Sequence, residues 1–102
     1  MTILEEIAEY TKARIEKAKK QITTNELRTL AEKMNENEGF VFEDAIRNSD
    51  NMAFICECKK ASPSKGIIAN EFPYVDIALE YEAAGADAIS VLTEPKWFLG
   101  SN

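Results

Sequence analysis

Over the first part of the chain, apolar side chains recur at helical spacing. Ile3, Leu4, Ile7, Ala8, Thr11, Ile15 and Ala18 follow a helical period, which predicts a helix from Ile3 to about Lys20. The charges between them run from Glu5, Glu6 and Glu9 to Lys17 and Lys20, acidic early and basic late, as the helix dipole favours. Thr23 followed by Glu26 reads as a capping box opening a second helix. Leu27, Leu30, Ala31 and Met34 form its expected buried stripe, and Asn35 to Gly39 its expected end. A short third helix is predicted over Phe42 to Arg47. The polar stretch Asn48 to Asn51 then leads into a strand from Met52 to Lys59. Residues 61–71 read as a loop punctuated by Pro63 and Gly66. Pro73 suits the first turn of another helix, whose Val75, Ala78, Leu79 and Glu82-Ala83 are expected to face the sheet. Gly85 is the expected C-cap, followed by a strand from Asp87 to Leu92. Strand, helix and strand make a βαβ unit, whose strands should be parallel.

The first strand departs from a plain apolar pattern. Ile55, Glu57 and Lys59 share one face, and Phe54, Cys56 and Cys58 share the other. A strand buried on both sides has no structural use for a carboxylate and an ammonium, because buried charges are costly unless paired or put to chemical use. In parallel α/β proteins the C-terminal end of a strand is where sites are built. The plainer alternative is a structural ion pair at a strand end. Other candidates also have plain readings. Ser62-Pro63-Ser64 alone is an ordinary turn, and Lys60 and Lys65 read as solvated loop charges. Trp97-Phe98 fits a local hydrophobic clasp as well as it fits substrate packing.

Composition narrows the class. Of 102 residues, 45% are hydrophobic and 29% charged, normal for a globular domain. The net charge of −6 argues against binding a phosphate backbone, so no nucleic-acid partner is expected. A small anionic substrate can still bind a locally basic pocket. No apolar run approaches the roughly 18 residues of a membrane span. Met1 to Tyr10 is acidic rather than signal-like. The expectation is a cytoplasmic protein without a membrane partner. With no histidine, proton transfer near neutral pH falls to Lys and Glu groups. Cys56 and Cys58, two apart on one strand, rarely suit a disulfide, and a metal would need further thiol or imidazole ligands. Two small reduced hydrophobes are expected, with no metal and no cofactor.

Two runs carry a family resemblance. Phe54 to Gly66 (FICECKKASPSKG) resembles the first-strand signature of indole-3-glycerol-phosphate synthase, an enzyme of tryptophan biosynthesis. Ile89 to Ser101 (ISVLTEPKWFLGS) is similar to that family's second strand and following loop. The helical stretch before residue 50 suits the family's N-terminal extension, which helps cover the barrel mouth. The resemblance implies an α/β fold: the N-terminal part of a (β/α)8 TIM barrel, with a helical extension over 1–50 and a parallel β-α-β unit over 51–102. Such a barrel takes about 250 residues, so about six strands would lie outside this chain.

The resemblance also implies chemistry: ring closure of 1-(2-carboxyphenylamino)-1-deoxyribulose 5-phosphate, with loss of carbon dioxide and water, to indole-3-glycerol phosphate. Lys59 matches the first-strand catalytic lysine and Glu57 the first-strand catalytic glutamate. Ser62 and Pro63 match substrate-contacting positions, and Phe98 an aromatic position that packs on the anthranilate ring, with Trp97 as a possible helper. The family's second lysine and its phosphate site come from later strands and loops, so this chain alone is expected to be inactive. Two parallel strands leave both sheet edges unpaired and one face uncovered. The partners expected are therefore the phosphorylated substrate, if the barrel is completed, and a second copy or a complementing barrel fragment. The alternative is a non-catalytic, self-associating α/β module.

Overall fold

The computed structural model describes residues 1–34 and 39–102. Two compact units divide the chain, Met1–Gly39 and Phe40–Asn102. The helix before the first strand thus groups with the sheet rather than with the N-terminal helices.

In the first unit, α1 (Ile3–Gln21) and α2 (Thr24–Glu32) each begin at a complete capping box. The Thr2 hydroxyl accepts from the Glu5 N–H at 3.2 Å, while the Glu5 carboxylate accepts from the Thr2 N–H at 2.8 Å. Thr23 and Glu26 repeat the exchange at 3.1 and 3.2 Å. Each box satisfies two donors that a helix start leaves unpaired. The α2 stripe corrects one expectation: Leu27, Leu30 and Met34 are exposed, not buried. Amphipathic spacing decides which side chains share a face, and says nothing of what covers it. Residues 35–38, where that helix was expected to end, lie outside the described residues. Gly39 follows them with φ +67°.

The second unit opens with α3 (Val41–Arg47), one residue earlier than the pattern predicts. Then come β1 (Ile55–Cys58), a small hairpin of β2 (Ala61–Ser62) and β3 (Gly66–Ile67), α4 (Tyr74–Ala83) and β4 (Ala88–Val91). β1 and β4 pair in parallel, with Ile55 opposite Ala88 and Cys58 opposite Val91. The chain is thus α/β, with N-terminal helices and a parallel β-α-β unit consistent with part of a TIM barrel. β1 is shorter than the expected Met52–Lys59 because its ladder starts at Phe54. The Phe54 carbonyl accepts from the N–H groups of Asp87 and Ala88, at 2.9 and 3.2 Å. The Asp87 carboxylate accepts from the Phe54 N–H at 2.8 Å, closing the N-terminal end of the pair.

Register sorts the side chains. Cys56, Cys58, Ile89 and Val91 lie on the face towards α4, and Ile55, Glu57, Ala88 and Ser90 on the other. Val75, Ala78, Leu79 and Glu82 of α4 do face Cys58, Ile89 and Val91, across a cleft of about 240 Å³. Val75 and Leu79 nonetheless stay exposed. The expected burial of β1 on both sides is also corrected. Cys58 is 1% exposed, but Ile55, on the face away from α4, is open to solvent, and so is Phe54, just ahead of the strand. Both cysteines are free thiols. The Phe54 and Cys58 carbonyls accept from the N–H groups of Ala88 and of Leu92, just past β4, so by alternation the Glu57 carbonyl points to the opposite edge of β1. There the Tyr81 hydroxyl of α4 donates to it at 2.9 Å, tying the helix to the strand. Among the described residues, no helix is long and apolar enough to cross a membrane.

Candidate active site

The two parallel strands end at the same side of the sheet, and the residues singled out in the sequence gather at their C-terminal ends. Lys59 directly follows β1, with its Nζ 3.6 Å from Oε2 of Glu57. The alternation of an extended chain puts both side chains on one face, away from α4. Their side chains are 37% and 44% exposed, so the pair sits at an open surface rather than in a core. Opposite Glu57 in the register is Ser90 of β4. An ammonium held beside a carboxylate at a strand end can donate a proton, stabilise a developing negative charge, or anchor an anionic substrate.

After Lys60 the chain folds into the β2–β3 hairpin, where the sequence showed only a loop. Ser62 pairs with Gly66 across a three-residue turn, and Gly66 takes φ +65°. That is a left-handed conformation that glycine adopts without steric cost, where the turn enters β3. The Ser62 hydroxyl accepts from the Lys65 N–H at 3.2 Å, and the Lys60 carbonyl accepts from the N–H groups of Ile68 and Ala69. Ala61 and Ser62 are 2% and 7% exposed, which with Cys58 makes this turn the best-buried part of the described chain. Ser62 is therefore built into the turn, whereas Pro63 stands exposed at its tip. Lys65 is exposed and Lys60 half-buried.

The loop after β4 carries the aromatic pair. Trp97 and Phe98 are both half-buried, with Lys96 Nζ 4.6 Å from the Trp97 ring centroid, a cation–π contact. The Glu94 carboxylate accepts from three successive backbone N–H groups: Lys96 at 2.6 Å, Trp97 at 2.8 Å and Phe98 at 3.1 Å. Gly100 N–H then donates to the Glu94 carbonyl at 2.9 Å. Leu99 takes φ +54°, unusual for a bulky residue, and a Cβ at Gly100 would lie 2.1 Å from the Leu92 carbonyl oxygen. The chain thus turns back against the end of its own strand.

A cleft of about 300 Å³ opens between the ends of these loops, with Lys60, Phe72, Tyr74, Leu92 and Leu99 among its walls. Glu57 and Lys59 do not line it, and they face open space on the other side of the sheet. Among the described residues, no cluster of three or more Cys, Asp or Glu side chains is placed to hold a metal ion.

The family model for indole-3-glycerol phosphate synthase matches residues 4–102, nearly the whole chain. The chain belongs to this family. A relative from Ruminiclostridium cellulolyticum, named indole-3-glycerol phosphate synthase, is 53% identical over 100 residues, covering 98% of this chain and 38% of its own length. One of the same name from Endomicrobium trichonymphae is 50% identical over 99 residues, covering 97% and 38%. Another from Caldanaerobacter subterraneus subsp. tengcongensis is 46% identical over 101 residues, covering 96% and 36%. The chain thus spans well under half the length of the synthases it matches.

Against that family background, the structure brings Glu57 and Lys59 together, and sets Ser62 and Pro63 in one turn and Phe98 in the neighbouring strand's loop. Sequence reasoning passed over Glu94, Asp87 and Tyr81, which hold backbone at the sheet's edges and ends. The sequence carries no signal for the role of Glu94: standing before Pro95 biases its backbone towards an extended conformation but does not say what its carboxylate bonds.

Proposed function

We propose that this chain supplies the first two strand ends of an indole-3-glycerol phosphate synthase active site. The reaction would close the indole ring of 1-(2-carboxyphenylamino)-1-deoxyribulose 5-phosphate, expelling carbon dioxide and then water. The observation that carries the reading is the Glu57–Lys59 pair, 3.6 Å apart, partly exposed, at the C-terminal end of a parallel strand. In this role Lys59 attracts the substrate carboxylate, stabilises charge developing on the carbonyl oxygen and donates a proton as that oxygen leaves. Glu57 orients the ammonium and is placed to accept a proton. Phe98 packs on the anthranilate ring, with Trp97 beside it. Ser62 shapes the intervening turn, and Pro63 at its tip meets the substrate.

These groups cover only one side of a bound substrate. The second lysine and the phosphate cradle that the resemblance implies have no counterpart among residues 1–102. Groups that act together in catalysis are strongly non-additive, so the purified chain should form no indole-3-glycerol phosphate. The check is an assay of the chain against its Lys59→Ala variant. Product formed by the first and not by the second would overturn the claim that other segments are required.

A further inference from the structure

We propose that Glu94 is a positioning residue for the aromatic pair Trp97–Phe98, a backbone clamp that fixes the loop after β4. The proposal rests on the reading above for its link to catalysis, since it assumes that Phe98 meets the substrate.

The loop is over-determined. Pro95 has no N–H to offer, and the next three N–H groups all converge on one carboxylate. Hydrogen bonds to an ionised acceptor are about twice as strong as neutral ones. They fix the backbone of both aromatic residues directly, from atoms one bond away from their Cα positions. Beyond the clamp, Leu99 holds a left-handed conformation that its side chain disfavours, and Gly100 passes too close to Leu92 for any Cβ. Strain of this kind persists only where the surroundings impose it, and it gathers at ligand sites. Glu94 supplies the attachment at both ends: its side chain holds residues 96–98 and its carbonyl holds Gly100. A plain hydrophobic clasp of Trp97 and Phe98 needs none of this, because packing alone would set the rings.

Glutamine at this position keeps the length of the side chain but turns an NH2 group towards N–H donors, and leaves one oxygen to accept. Aspartate keeps the charge on a stem one methylene shorter. The experiment is amide hydrogen exchange on the chain, read residue by residue by NMR, together with emission of Trp97, its one tryptophan. In the unsubstituted chain, the amides of Lys96, Trp97 and Phe98 should exchange at least tenfold more slowly than that of Ser101. Glu94→Gln should lose that protection and shift Trp97 emission to the red, with the Phe54 amide, held by Asp87, unchanged. Glu94→Asp should restore part of both signals. The proposal is overturned if the three amides of the unsubstituted chain exchange as freely as Ser101, or if Glu94→Gln leaves their protection and the Trp97 emission intact. Should Glu94→Gln also release Phe54, the unsubstituted chain alone decides. No ligand enters the measurement, so the clamp stands or falls apart from whether Phe98 touches substrate.

Discussion

Lys59 and Glu57 form an ion pair that is partly exposed, and this separates their chemistry from their contribution to folding. Exposed pairs contribute about 0–1 kcal/mol, so Lys59→Ala should change stability by less than about 1 kcal/mol in a urea titration. A loss of several kcal/mol would mean that the pair is structural after all. Gly100 is the opposite case. A methyl group there would sit 2.1 Å from the Leu92 carbonyl oxygen, so Gly100→Ala should cost about 2 kcal/mol or more, read as a lowered unfolding midpoint. At this scale the sequence was informative where chemistry alone dictates placement: Glu57 and Lys59 share a face because strands alternate. It was silent on Glu94, whose partners are backbone groups that only the turn's three-dimensional path brings within reach.

Among the elements, the capping box of Thr23 and Glu26 is a local device and was legible for that reason. Its bonds join residues three apart; the same spacing at Thr2 and Glu5, which the sequence reading passed over, forms a second box. Replacing Thr23 by Ala should cost about 1 kcal/mol and reduce helical signal in far-UV circular dichroism, while Thr23→Ser should cost little. The β-α-β unit was legible from its change of period. The β2–β3 hairpin was not, because two-residue strands carry no periodic pattern and their pairing depends on Ser62 and Gly66 meeting across the turn. The edges of β1 were misjudged for a related reason. Propensity extends a strand over every apolar residue, whereas the ladder begins only where Asp87 and Ala88 supply partners.

At the largest scale, the second unit leaves Ile55 and Glu57 exposed on the face of the sheet away from α4, and the β1–β4 pair is the full width of its sheet. Unpaired strand edges and apolar side chains such as Ile55, Leu79 and Val91 favour association. Light scattering of the purified chain should therefore report assemblies rather than a single-chain mass. A stable monomer at micromolar concentration would contradict this. The most direct test of the central claim replaces the corresponding segment of the Ruminiclostridium cellulolyticum synthase with residues 1–102 and measures indole-3-glycerol phosphate formation. Lys59 and Glu57 should then act as part of a complete site. The chimaera should be active, and Lys59→Ala should lower its kcat by about a hundredfold or more, in the range of lost acid–base catalysis. An inactive chimaera, or one that keeps its rate without Lys59, would show that these strand ends do not carry the reaction.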